Sequence, residues 1–340
     1  MSIQEHSFRN FVMKKKALSI FYTTTIAFLL ICCVGTSHAA DENTITLAVS
    51  PFKNLMKKPD LDWMGEGFAE TLTTKLNHVN RLKLVERTQL KEVIDEMKLG
   101  MAGITEGNAT NVGKLLSADY LVIGSFQKID AGGRSMIKIN SRLVSVKTSE
   151  IEKGKAVSAN GLYENVFDIQ ETIAAKLAKN LGVGLSDEEL TIMGLDETVS
   201  VTAYELYHQA KNETDDARKE MLLKKALGYD PSYAKAHLLL GSFYHVRAMA
   251  DSSLEPASVS HLERAIDLDP TLYEAHYSLG DYYYRKRDLY RSQKDKMEDA
   301  AIEKARYHFK AFVENKKASK ARYYIWKVKK AKKKLKKLDS

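Results

Sequence analysis

The chain has 340 residues, 44% of them hydrophobic and 28% charged. That is room for two ordinary domains and a tail, and it excludes wholesale disorder. The net charge of +8 is unevenly spread: residues 40–315 carry 36 basic and 42 acidic residues, whereas residues 316–340 carry 12 basic and one acidic.

Before the first predicted element, MKKKALSIFYTTTIAFLLICCVGTSHA runs from Met13 through three lysines and an apolar stretch, Ile26–Val34, to Ser37-His38-Ala39. This order of charge, apolar run and small residues is that of a secretory signal peptide, expected over residues 1–39. An uncleaved anchor is the alternative, although the run is short for a membrane span. Both cysteines, Cys32 and Cys33, lie inside this leader, so residues 40–340 offer no disulfide, thiol nucleophile or cysteine metal site. A lipid-modified cysteine is usually preceded by a small residue, and here Ile31 precedes Cys32.

ITLAVSPF (45–52) reads as a buried strand ended by Pro51. Phe68, Leu72, Leu76 and Val79 then step by four, four and three along one helix face. In RLKLVERTQLKEVIDEMKLG (81–100), Leu82, Leu84 and Val85 form a short strand. Leu90, Val93, Ile94 and Met97 form a helix stripe, with Thr88 as the expected cap and Gly100 as the stop. Glu86 and Arg87 fall where the strand leaves the core. A helix over Ala109–Ser117 leads into ADYLVIGSFQKI, an apolar strand, and Asp130-Ala131-Gly132-Gly133 is a hairpin turn.

Past the turn, Ile137, Ile139 and Leu143 share one face, with Ser141 as a gap, and Lys138, Asn140 and Arg142 share the other. Val144 and Val146 break the alternation, which predicts a strand end or bulge near Leu143. Ile151–Ala159 is the expected partner strand. Val166, Ile169, Ile173, Leu177 and Leu181 mark a closing helix over Leu162–Leu181. The order β-α-β-α-α-β-β-β-α predicts an α/β domain, a mixed sheet with packed helices, over residues 40–182.

Residues 183–200 read as a linker with one short helix at most. Beyond it the pattern turns helical and repeats: Ala236-His237, Leu240-Gly241 and Tyr244 recur as Ala275-His276, Leu279-Gly280 and Tyr283, 39 residues on. Ala226 and Pro231 recur as Ala265 and Pro270. Self-similarity at this period predicts a stack of helix pairs over residues 201–315. The last segment, residues 316–340, places Tyr324, Val328, Ala331, Leu335 and Leu338 on one stripe of an otherwise lysine-covered helix.

The repeat resembles the tetratricopeptide repeat, carried by Leu240-Gly241, Tyr244, Leu262, Ala265 and Pro270, with DSSLEPAS lengthening the turn. The N-terminal part resembles the CsgG/FlgO-like envelope family, carried in order by ITLAVSPFKNL, DWMGEGFAETLTTKL, KLVERTQLKEVIDEMKLG, NVGKLLSADYLVIGSF and INSRLVSVKTSEI. That resemblance implies a non-enzymatic, cofactor-free envelope protein, periplasmic and associated with the outer membrane, in which ERTQL is a strand-to-helix joint. A curli-type secretion channel component is the alternative it offers. Against a channel, the sequence lacks the extra pair of long alternating strands with aromatic girdles that a membrane barrel needs.

The tetratricopeptide resemblance also implies a concave groove for protein partners. Its positions are Lys235, Leu238, Ser242 and His245 in one unit and Glu274, Tyr277, Asp281 and Tyr284 in the next. For the tail, Lys329, Lys330, Lys332, Lys333, Lys334, Lys336 and Lys337 either solvate a capping helix or bind an anionic membrane surface or cell-wall polymer. Nucleic acid conflicts with export. A homo-oligomer is compatible with the family.

No catalytic residue is predicted. Gly65-Glu66-Gly67 lacks the third glycine and the Gly-Lys-Ser/Thr of a phosphate loop and reads as a helix start. Glu86 and Arg87 have no nucleophile or histidine near them in sequence. The nine histidines show no metal-ligand spacing, and His237 and His276 read as packing residues. An enzyme of unknown type is the remaining alternative.

Overall fold

The structure is a computed structural model and describes residues 44–97, 104–148, 150, 155–293, 297–315 and 325–339. The expected leader with Cys32 and Cys33, Gly100, Ile151 and Tyr324 lie outside the described residues.

Strands β1 (Ile45–Val49), β2 (Lys53–Asn54), β3 (Leu82–Leu84), β4 (Tyr120–Ala131), β5 (Arg134–Ser145) and β6 (Val157–Leu162) form one mixed sheet in the order β3-β1-β4-β5-β6, with β2 also on β4. β1 runs parallel to β3 and β4, whereas β4, β5 and β6 are antiparallel. The helices of this part are α1 (Trp63–Leu76), α2 (Arg87–Glu96), α3 (Glu106–Leu115) and α4 (Val166–Asn180). Apart from the two-residue β2, this is the order expected from the sequence.

One sheet face carries Leu47, Val49, Val122, Ile137, Ile139 and Leu143, buried with Phe68, Leu72 and Leu76 of α1 and Ile173 and Leu177 of α4. Each such side chain removed from water contributes roughly 1.5–3 kcal/mol before entropy is charged against it. The opposite face carries Ala48, Leu121, Ile123 and Val144 under Leu90 and Val93 of α2 and Ala109 and Val112 of α3.

Of the strand end or bulge expected near Leu143, the strand does end two residues on, at Ser145, but that second layer rules out the bulge. The β4–β5 register is unbroken from Tyr120↔Ser145 to Ala131↔Arg134. Val144 breaks the polar alternation because the sheet changes there from one wetted face to two covered ones. Lys138 and Arg142 stay exposed farther along, as expected. Gly132 and Gly133, at φ 60° and 78°, supply the two positive-φ positions of the hairpin turn.

Residues 183–200 are pinned along α1 and include one short helix, α5 (Asp187–Met193). The Lys75 ammonium donates to the Met193 carbonyl and pairs with Asp196, both at 2.8 Å. Asn80 N–H donates to Glu189 at 2.8 Å.

Three helix pairs follow: α6 (Val201–Asn212) with α7 (Asp216–Tyr229), α8 (Ala234–Arg247) with α9 (Glu255–Leu268), and α10 (Tyr273–Gln293) with α11 (Glu298–Glu314). A last helix, α12 (Ile325–Leu338), packs on α11 and α10. The repeated glycines are where the helices of a pair approach most closely. A Cβ on Gly241 would lie 2.8 Å from the Leu262 side chain, and one on Gly280 2.7 Å from the Phe309 ring.

The sheet and the helix pairs share packing. Tyr204 of α6 is buried in the sheet's main core, with its hydroxyl 3.1 Å from that of Thr71. His208 stacks on Trp63 with ring centroids 5.9 Å apart. Among the described residues no helix is long and apolar enough to cross a membrane.

Candidate functional site

The charged corner is architectural. α2 begins at Arg87, whose guanidinium pairs with the Glu66 carboxylate of α1 and reaches the Glu66 carbonyl at 3.3 Å. Glu86, not Thr88, occupies the cap position, and the Thr88 hydroxyl is buried without a partner. The helix therefore starts two residues earlier than expected, with no side-chain cap hydrogen bond from Glu86. Gly65 lies inside α1, where a Cβ would lie 2.2 Å from the Phe52 carbonyl oxygen. It serves packing there.

The eight groove positions fall on α8 and α10, and none is exposed. Lys235 points into the junction between helix array and sheet domain, paired with Glu197 and, at 3.3 Å, with Glu70 of α1. Lys211 of α6 is the second cation on Glu70. Burial opposes charge on both Lys235 and Glu70, but the opposite charges outweigh it, raising the lysine and holding the carboxylate well below its usual range. Leu238 packs against Leu262, Ala275 and Leu279, and Ser242 is half-buried.

The other positions meet the basic tail. Asp281, buried, takes the Lys334 ammonium of α12 on one oxygen. On the other it faces His245 at 3.6 Å and Arg285 at 3.4 Å. Burial alone would raise its pKa; hydrogen bonds and charge from His245 and Lys334 outweigh this and hold it ionised below the ordinary carboxylate range.

Tyr277, 8% exposed, packs on Phe312 at 5.1 Å and Phe309 at 6.3 Å, with the Lys327 ammonium 5.1 Å from its ring centre. The Tyr284 ring holds Lys334 at 4.5 Å and the Arg287 guanidinium at 4.1 Å. Burial lowers the Lys327 pKa, and the charge of Glu274 acts against that.

Groove and tail, separate sites in the sequence reading, thus form one surface. The apolar stripe of α12, Val328, Ala331, Leu335 and Leu338, docks with Phe309, Phe312 and Tyr277. Lys329, Lys330, Lys332, Lys333, Lys336 and Lys337 face solvent, whereas Lys334 turns inward. A signal for this lay in the sequence: Glu274 and Asp281 are seven apart, as are Lys327 and Lys334, so two acids can face two bases across neighbouring helices.

The structure also adds a partner to each repeat histidine. Nδ1 of His237 lies 2.9 Å from Nδ1 of His261, and Nδ1 of His276 lies 3.0 Å from Nδ1 of His308. Because the Pro231 carbonyl can only accept, His237 Nε2–H donates to it at 3.1 Å, which leaves Nδ1 to accept from His261. Among the described residues no three His, Cys, Asp or Glu side chains converge as a metal site.

Residues 36–167 match the family model described as "Curli production assembly/transport component CsgG". Solved structures similar to part of the chain include the LpoB C-terminal domain from Escherichia coli, at 20% identity over 35% of this chain and 82% of that one, TM-score 0.27. The PelC dodecamer from Paraburkholderia phytofirmans matches at 11% identity over 42% and 91%, TM-score 0.27. A hypothetical protein from Chlamydia trachomatis matches at 11% over 41% and 95%, TM-score 0.28. No curated protein matches the chain.

Proposed function

We propose that this protein is a non-enzymatic assembly factor of the cell envelope, exported by its leader and acting in the periplasm at the outer membrane. In this reading the sheet domain docks or oligomerises, and the tetratricopeptide-like helix pairs hold a protein partner. The observation that carries it is the match of residues 36–167 to the curli assembly/transport family. The Glu66–Arg87 pair supports it by giving the charged corner at Glu86-Arg87 a structural task.

The packing of α12 on α10 suggests what this face of the helix pairs recognises. α12 presents an apolar stripe flanked by Lys327 and Lys334 to an acidic and aromatic surface of Glu274, Tyr277, Asp281 and Tyr284. A partner segment of the same chemistry, a basic amphipathic helix, is the ligand class that fits. The exposed lysines of α12 then supply adhesion to an anionic surface.

Cell fractionation combined with crosslinking mass spectrometry tests the reading. The expected result is a leader-free chain in the envelope fraction, crosslinked to an envelope protein or to a second copy. A cytosolic molecule that retains its leader overturns it, as does a purified chain whose turnover vanishes on changing one carboxylate.

A further inference from the structure

α12 carries eight lysines and no acidic residue between Ile325 and Leu338. Six of them are exposed, and the helix is held on the array mainly by its opposite face, with the half-exposed Trp326 ring also reaching that of Tyr277 edge-on at 6.4 Å. A solvated cap needs only this charge. What it does not need is the pair of large apolar side chains on the same face: Trp326 is 54% exposed and Ile325 43%.

Helical spacing places both among the lysines. Trp326 stands three, four and seven residues before Lys329, Lys330 and Lys333, and Ile325 stands four, seven and eleven before Lys329, Lys332 and Lys336. An exposed indole and a branched aliphatic at one end of a cationic strip match the two layers of a charged bilayer surface. The lysines meet headgroup phosphates, and the amphipathic indole sits at headgroup depth. A soluble polyanion would use the lysines and leave Ile325 in water.

We propose that the outer face of α12 is a docking surface for a bilayer containing anionic phospholipid, with Trp326 and Ile325 entering the interface. The proposal rests on the envelope reading only for access to a membrane. Vesicles and purified protein test it separately, so failed lipid binding leaves partner crosslinks standing, and absent crosslinks leave lipid binding standing.

The chain has two tryptophans, and the other, Trp63, is buried at 8% exposure, so emission changes report on Trp326. The full chain is mixed with phosphatidylcholine vesicles with and without phosphatidylglycerol. The expected result is a blue shift only with phosphatidylglycerol, reversed by salt. Because the N-terminal apolar run can itself enter a bilayer, variants decide the assignment. Changing Lys329, Lys332, Lys333 and Lys336 together to Gln lowers partitioning at least roughly a hundredfold. Trp326→Phe, which keeps a ring beside Tyr277, abolishes the shift.

Three outcomes overturn the proposal: unshifted emission on anionic vesicles, a quadruple variant that binds like the parent, or a shift that persists in Trp326→Phe. Salt-sensitive binding of soluble polyphosphate with no response to vesicles replaces the bilayer with a dissolved polyanion.

Discussion

Lys334 of the last helix is seated on the Asp281 carboxylate and 4.5 Å above the Tyr284 ring, so one cation ties α12 to both a charge and an aromatic face of α10. The pair is mostly shielded from water, with side-chain exposures of 15% for Lys334 and 9% for Asp281. Removing one partner leaves the other charge stranded, which costs about 3–5 kcal/mol for a buried pair.

Asp281→Ala is the harsher change, because Lys334, His245 and Arg285 all face that carboxylate. It should lower stability by about 3 kcal/mol, and Lys334→Gln by less. A double-mutant cycle read by chemical denaturation should give a coupling of about 1–3 kcal/mol. Hydrogen exchange should show α12 losing protection before α10. A coupling near zero would mean the apolar stripe alone holds the helix.

The histidine pairs make stability pH-dependent, and the sign follows from their depressed pKa values. Burial is the leading cause in each case, and His308 is pushed down to about 4, with the charge of His276 adding to it. His237, His261 and His276 are shifted the same way. The unfolded chain therefore takes up protons first. Stability is full above about pH 7, falls as pH drops through 6.5, and stops falling on this account near pH 4. His308 alone accounts for on the order of 3 kcal/mol across that window. Chemical denaturation at pH 7 and pH 4.5 checks this, and changing His276 and His308 together to Gln should shrink the difference without abolishing it, because His237, His261 and the buried His208, pushed down to about 3, remain.

Lys235 links the helix array to the sheet domain through Glu70 and Glu197. Lys235→Ala leaves the buried Glu70 and the half-buried Glu197 with Lys211 as the cation on Glu70. The cost should be on the order of 3 kcal/mol. The informative readout is cooperativity: the parent should melt in one transition, and the variant should separate into two, with proteolysis entering near residues 194–200. A single transition at unchanged temperature would place the coupling in Tyr204 and His208 instead.

The element order was legible because each helix and strand carries its own period over several residues, as in Phe68, Leu72 and Leu76 or Ile137 and Ile139. The repeat was legible because Gly241 and Gly280 answer the same packing demand at the same offset. What failed was whatever depended on another layer. Val144 looked like a break because strand periodicity cannot say whether a helix covers the second face. The groove residues were read as open because their neighbours lie far off in the chain: Tyr277, Asp281 and Tyr284 meet α12 and Lys235 meets Glu70 and Glu197, and an ion pair such as Asp281 with Lys334 leaves only a weak register signal.

Thr88 is the smallest of these misreadings and the easiest to test. As a cap its side chain would accept from a free backbone N–H, and replacing it would cost about 1 kcal/mol. The structure places it within the first turn of α2, with its hydroxyl buried and unpartnered. An unmet polar group is a cost, so exchanging it for an apolar group of the same shape relieves the helix. Thr88→Val should therefore raise stability by up to about 1 kcal/mol. The β-branched shape is kept, so packing is not disturbed. A loss of similar size in denaturant titration would restore Thr88 to the capping role and shift the start of α2 by two residues.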